Sequence, residues 1–140
     1  GIGGYYGRYP RIPYCRTTNY TAHDVERWKK CLHYINKVDD YFAELSPTRY
    51  ASQKRAADSI DPELRIGDTA FTTVTINNNF RTACHRDAGD WKEGFGNLSC
   101  TGKGEWDGGY TIFPSFRAGV KLNPGDMMIA SVHEIQHMKI

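Results

Sequence analysis

From residue 70 onward the chain is written in short β-type runs: Phe71 to Ile76, Phe80 to Cys84, Asn97 to Thr101, Tyr110 to Phe113, Phe116 to Leu122 and Met127 to Val132. Between them stand Asn77-Asn78-Asn79, Glu93-Gly94, Gly102-Lys103-Gly104, Asp107-Gly108-Gly109 and Asn123-Pro124-Gly125-Asp126, residues that accept tight turns. Runs this short do not make helices, and many short strands at even spacing predict a sandwich or barrel.

The first half has a different texture. Trp28, Cys31, Leu32, Ile35, Val38, Phe42 and Leu45 recur at helical spacing along one face, after a weak capping start at Thr21 with Asp24 three residues on. Ser46-Pro47 reads as a cap with proline at the first helical position, opening a second helix through about Ala57, and Asp61-Pro62 ends it. The expected organisation is a basic, aromatic arm over 1–20, a helical buttress over 21–60 and a β core over 61–140, one α+β domain in all. A chain of 140 residues is long enough for one such core and too short for two.

The arm is distinctive in chemistry. Residues 5–16 carry Arg8, Arg11 and Arg16 among tyrosines with no acid, a mixture that grips phosphate and stacks on bases. A net charge of +2 neither demands nor opposes a polyanionic partner. No apolar run approaches a membrane span and no export signal is visible, so an intracellular setting is expected, nuclear or in a host cytoplasm if the chain is viral. The start at Gly1 reads as processing or a fragment. Cys15, Cys31, Cys84 and Cys100 form no CxxC pair and are expected as free thiols. Asn19-Tyr20-Thr21 and Asn97-Leu98-Ser99 match the glycosylation sequon, a pattern common by chance.

Candidate chemistry begins at His85-Arg86-Asp87. Residues alternating about Arg86 at the end of a β run project to one side, so an imidazole and a carboxylate converge. A second histidine from a distant strand would complete a 2-His-1-carboxylate set for Fe(II). A rival motif lies downstream, because His133-Glu134-Ile135-Gln136-His137 spells the HExxH of zinc peptidases. That chemistry requires a helix and a third ligand; Met127 to Val132 reads as strand, and no third ligand follows before Ile140.

The order of segments resembles the 2-oxoglutarate and Fe(II)-dependent dioxygenases. His85-Arg86-Asp87 is followed by Gly94-Phe95-Gly96-Asn97-Leu98, Gly108-Gly109-Tyr110-Thr111-Ile112-Phe113-Pro114, Pro124-Gly125-Asp126-Met127-Met128-Ile129 and a histidine-bearing segment. More narrowly, Phe71-Thr72-Thr73-Val74-Thr75-Ile76-Asn77 leading into Asn79-Phe80-Arg81-Thr82-Ala83-Cys84-His85-Arg86-Asp87-Ala88-Gly89-Asp90 is similar to the TET/JBP branch, especially its phage and algal members.

That resemblance implies a double-stranded β-helix, or jelly-roll, core lacking its last strand, and hydroxylation of the methyl group of 5-methylcytosine or thymine in DNA. The substrate base is then flipped out or single-stranded. Implied cofactors are Fe(II) and 2-oxoglutarate, with iron on His85, Asp87 and His137 and with His133 as the alternative distal ligand. A one-residue bulge near His133-Glu134-Ile135-Gln136-His137 would reconcile this segment with the family pattern. The family's arginine for the cosubstrate carboxylate falls beyond Ile140, so either the chain is truncated, or Arg81 or Arg117 substitutes, or the cosubstrate is no longer bound productively. Asn79 and Asp90 are placed on the substrate side, Asp90 accepting from a cytosine amino group, and Trp91, Phe95 and Trp106 are candidates for stacking. The alternative class is a structural or binding protein that retains the fold without turnover, and behind it stands the peptidase.

Overall fold

A computed structural model describes residues 1–8 and 11–140. The chain divides into two compact units, Gly1–Asn77 and Asn78–Ile140, and is α+β, its described α-helices all in the first unit.

The first unit holds β1 (Ile2–Tyr6), β2 (Arg16–Thr17), α1 (Asn19–His23), α2 (Val25–Leu45), α3 (Pro47–Asp58) and β3 (Thr73–Thr75). The three strands form an antiparallel sheet in the order β2-β1-β3. Part of the expected N-terminal arm is therefore the central strand of a sheet, and β3, expected with the later strands, belongs to this unit because its ladder partner is β1. Tyr9 and Pro10 of the arm lie outside the described residues.

Two glycines in β1 explain why the strand escapes a search for apolar alternation. The Trp28 ring occupies the space that a Cβ on Gly3 would need, and Gly4, at φ +88°, lies against the Thr72 carbonyl.

Helix α2 follows the apolar stripe. Trp28, Ile35 and Phe42 are buried, and Trp28 and Ile35 pack with Ile66, Tyr20, Cys31, Leu32, Phe71 and Val74. Phe42 stacks on Phe71 at 6.3 Å and meets the Tyr50 ring edge-on at 5.5 Å. Leu45, the last residue of the stripe, stays exposed.

The capping start at Thr21 needs correction. Thr18 caps α1, its hydroxyl accepting from the Thr21 N–H at 3.4 Å, while the Thr21 hydroxyl accepts from Gly4 N–H of β1 at 2.8 Å. Thr21 is thus committed to the sheet, and Asp24 opens α2 without a side-chain cap bond. Asp39 lies on the buried face and is only 7% exposed. It takes Ala70 N–H and the Tyr50 hydroxyl, each at 2.8 Å, which satisfies a carboxylate that burial alone would penalise.

The second unit contains β4 (Thr82–His85), β5 (Gly96–Ser99), β6 (Tyr110–Phe113), β7 (Ala118–Lys121), β8 (Met127–Ala130) and β9 (His137–Lys139). One antiparallel sheet runs β4-β9-β6-β7 and a two-stranded sheet pairs β5 with β8. The expected runs are all present: β6 keeps its bounds, β4 starts later but reaches His85, β5 starts one residue earlier and ends at Ser99, and the last two are shorter. The run expected from Phe116 begins as β7 only at Ala118, because Pro114–Phe116 forms a 3₁₀ turn and Arg117 adopts a left-handed conformation at φ 50°. The run from Met127 ends at Ala130, and residues 131–135 turn the chain into β9.

Candidate metal centre

Strand β4 delivers His85 at its last position, opposite His137, the first residue of β9. The pairing shifts register between Thr82 and His85, so the irregularity lies in the β4–β9 ladder itself. The two imidazole rings sit 4.4 Å apart. Asp87 follows just past the strand, where Ala88 N–H bonds to Arg86 O at 2.9 Å and Asp90 N–H to Asp87 O at 3.0 Å, folding the segment into a tight turn. His85 Nε2 lies 3.3 Å from one carboxylate oxygen of Asp87, and His137 Nε2 lies 3.8 Å from the other. One atom from each of the three side chains falls within 4.8 Å of the others, a group that could hold a metal ion.

The ring nitrogens are oriented for this. His85 Nδ1 meets the Ala83 carbonyl at 2.7 Å and His137 Nδ1 meets the Ile135 carbonyl at 3.1 Å. A carbonyl can only accept, so each Nδ1 carries a proton and Nε2 is the nitrogen that each ring turns toward the shared point, the one through which it could ligate a metal. Such backbone partners hold ligating histidines in one tautomer and one orientation. His137 is buried, while His85 and Asp87 are half-buried, leaving one open side.

The turn after β8 secures this loop. Asp87 N–H bonds to Val132 O at 3.0 Å, Arg86 Nε donates to Glu134 O at 2.8 Å, and His133 Nδ1 donates to Asp87 O at 3.3 Å. Val132 is itself buried, and its side chain fills the place where a Cβ on Gly96 would stand. Sequence reasoning missed these supports, since three of the links run through backbone atoms and no side-chain pattern marks them.

His133 is brought next to Asp87 but is not among the three grouped side chains. It lies in the turn and His137 in a strand, so the two histidines do not share a strand face. Nor do they lie on a helix. Ile135 N–H closes a single turn onto Ser131 O at 2.9 Å before β9 begins, so the peptidase reading is overturned: the helix that aims both histidines of HExxH at one metal is not formed.

Asp90 is exposed, yet its carboxyl is held above the ordinary aspartate range. Loss of solvent around the carboxyl is the main cause and the Asp87 charge adds to it, while His133 and His137 pull the other way. Asp90 therefore feels the same group electrostatically. Asn79 is exposed with a left-handed backbone at φ 49°. Arg81 and Arg117 are also exposed, and no described contact ties either to His85, Asp87 or His137. Trp91 is 42% exposed, Phe95 half-buried, and Trp106 lines a polar cavity of about 450 Å³ with Lys121, Asn123 and Pro124. The four cysteines are free, as expected. No helix is long and apolar enough to cross a membrane among the described residues.

Residues 2–139 match the model of the Tet/JBP family, described as the oxygenase domain of the 2OGFeDO superfamily. The thymine dioxygenase JBP1 of Leishmania braziliensis is 33% identical over 135 residues, which is 95% of this chain and 16% of that protein. The JBP1-B thymine dioxygenase of Trypanosoma cruzi gives the same figures. The bifunctional helicase and thymine dioxygenase JBP2 of Trypanosoma brucei brucei is 36% identical over 134 residues, 91% of this chain and 12% of the relative. The chain thus spans less than a fifth of the relatives it matches. No solved structure matches it.

Proposed function

The chain belongs to the Tet/JBP family of 2OGFeDO-superfamily oxygenase domains, and from that premise we propose that it hydroxylates the methyl group of a 5-methylpyrimidine, 5-methylcytosine or thymine, in DNA. The observation that carries this reading is the convergence of His85, Asp87 and His137, two imidazoles with free Nε2 atoms and one carboxylate. That donor set suits Fe(II) and leaves coordination positions for other ligands. The order β4-β9-β6-β7 beside the β5-β8 pair supports a jelly-roll core for the site.

Iron held by these residues, with 2-oxoglutarate and dioxygen as cosubstrates, would supply the oxidation of methyl to hydroxymethyl, one oxygen atom entering the new hydroxyl and the other the succinate that forms as 2-oxoglutarate loses carbon dioxide. The protein's own part is positional. The rings of His85 and His137 are aimed by the carbonyls of Ala83 and Ile135. Asp87 is fixed through its backbone to the 132–134 turn. Arg81 or Arg117 would pair with the cosubstrate's far carboxylate. Asp90, with Asn79, would face the base, the Asp90 carboxyl lying in the field of Asp87, His133 and His137. The base must leave its stack, or arrive unpaired, to reach them.

A second reading, a structural or binding protein that keeps the fold without turnover, is favoured by the exposure of Arg81 and Arg117, neither of which has a described contact with the grouped ligands. Anaerobic iron titration followed by incubation with 2-oxoglutarate, oxygen and DNA carrying 5-methylcytosine or thymine separates the readings. The expected outcome is one iron per chain, succinate, and a hydroxymethylated base by mass spectrometry. Iron uptake with neither product supports the binding protein, and absence of iron uptake sinks the proposed centre.

A further inference from the structure

The basic segment of the first unit carries three cations close together in the chain with no carboxylate partner, a run that does not recur in the rest of that unit, where Lys30 and Arg55 stand singly without one among the described residues. Arg27, Lys29, Lys37, Lys54 and Arg65 each meet a carboxylate. Arg8, Arg11 and Arg16 are exposed and meet none among the described residues. No Asp or Glu occurs before Asp24, and that residue is itself paired with Arg27 at 3.3 Å. Three guanidinium groups therefore stand within nine residues with their charge unspent.

Their surroundings are aromatic. Arg16 pairs with Tyr6 in the β1–β2 ladder, and its guanidinium lies over the Tyr6 ring at 4.9 Å. Tyr6, Arg16, Asn19 and Tyr20 border a groove of about 320 Å³, the scale of a nucleobase-sized ligand rather than of a folded partner. Tyr14, in the connection between β1 and β2, is 63% exposed.

We propose that this face binds a DNA strand outside the metal centre: Arg8, Arg11 and Arg16 take its phosphates, and Tyr14 and the Tyr6–Arg16 groove take an unpaired base. Guanidinium matches phosphate oxygens bidentately, and tyrosine stacks on any base, so the surface holds strand without reading sequence. An acidic peptide would use the charge and leave the rings without a stacking partner. The inference rests on the reading that the chain acts on DNA.

Fluorescence anisotropy with one labelled oligonucleotide, single-stranded or as a duplex, over a salt series tests it on the whole 140-residue chain. Each phosphate that a side chain no longer neutralises on a single strand lowers the log–log salt slope by about 0.7. Arg8→Ala/Arg11→Ala/Arg16→Ala is therefore expected to lower it by about 2. Lys29→Ala/Lys30→Ala/Lys37→Ala removes equal formal charge from α2 and is expected to leave the slope in place. Tyr14→Ala is expected to weaken single-strand binding by about tenfold while leaving the slope unchanged. Circular dichroism checks that each variant keeps its fold. If the arginine variant keeps the wild-type slope, or the lysine variant loses as much, the assignment fails while the DNA reading stands. A Tyr14→Ala variant that binds single strands as tightly as wild type overturns the stacking part. Wild-type protein that binds neither oligonucleotide takes the DNA reading down as well.

Discussion

His133 Nδ1 lies 3.3 Å from the carbonyl oxygen of Asp87, joining the turn before β9 to the loop that carries the candidate carboxylate ligand. On the proposed reading His133 is a positioning residue, so His133→Ala is expected to weaken Co(II) or Fe(II) binding by roughly 10- to 100-fold, the usual effect of losing an outer partner. His133→Asn, whose amide can donate to the same carbonyl, is expected to recover part of that affinity. An alanine variant with wild-type metal affinity makes the contact dispensable.

Gly96 and Val132 meet so closely that a Cβ on Gly96 overlaps the valine side chain. Gly96→Ala is expected to destabilise by about 1–3 kcal/mol through overpacking. It should also disturb Asp87, whose N–H is held by the Val132 carbonyl at 3.0 Å. Adding Val132→Ala to Gly96→Ala opens the space, and a coupling of about 0.5 kcal/mol or more is expected in a double-mutant cycle read by urea melts. Simple additivity contradicts the packing account.

Asp39 and Tyr50 make an acid–phenol pair whose protons are both held more tightly in the folded chain. Burial raises the Asp39 carboxyl above its ordinary value, and burial with the Asp39 hydrogen bond pushes Tyr50 up to about 12. A folded-state value above the unfolded one contributes stability that is present below the unfolded value and lost as pH rises through the folded one. For Tyr50 that loss runs from 10.0 to about 12, and for Asp39 it begins above 3.8. Chemical melts across pH are expected to show the alkaline loss in wild type and a smaller one in Tyr50→Phe. Asp39→Ala strands the Ala70 N–H and is expected to cost about 1–3 kcal/mol. Asp39→Asn keeps an acceptor for Ala70 and a donor for Tyr50, and is expected to cost less.

Arg117 sits at φ 50° and ψ 38°, where a side chain is strained and glycine is not. Arg117→Gly is expected to leave stability unchanged or raise it by up to about 1 kcal/mol. If Arg117 is the residue that pairs with 2-oxoglutarate, the same variant loses cosubstrate binding by calorimetry while its melting temperature holds. Retained binding moves that role to Arg81 or away from both.

The helices were legible because Trp28, Ile35 and Phe42 repeat at one helical face and Pro47 marks a start. Strand β1 was not, because Gly3 and Gly4 carry no side chain to show which way the chain faces, and their role is to admit the Trp28 ring and the Thr72 carbonyl. Asp39 broke the apolar stripe without breaking the helix, since its partners Tyr50 and Ala70 come from later in the chain. At the site, the two-residue spacing of His85 and Asp87 suggests convergence at once. Which downstream histidine stands beside them depends on the 131–135 turn and the β9 register, and spacing alone does not encode either. The HExxH spelling misleads for the same reason: a motif has its chemistry only in the backbone conformation that aims it.

The six residues between Ala130 and His137 act as a ruler. Side chains alternate across a strand, so a residue lost or gained in this turn that slides β9 by one position against β6 would turn His137 to the opposite face and put Lys139 and Met138 out of step with Thr111 and Ile112. Substitutions in Glu134, Ile135 or Gln136 are therefore a smaller hazard to this chain than a single codon gained or lost: at this turn inheritance must preserve a count more strictly than a spelling.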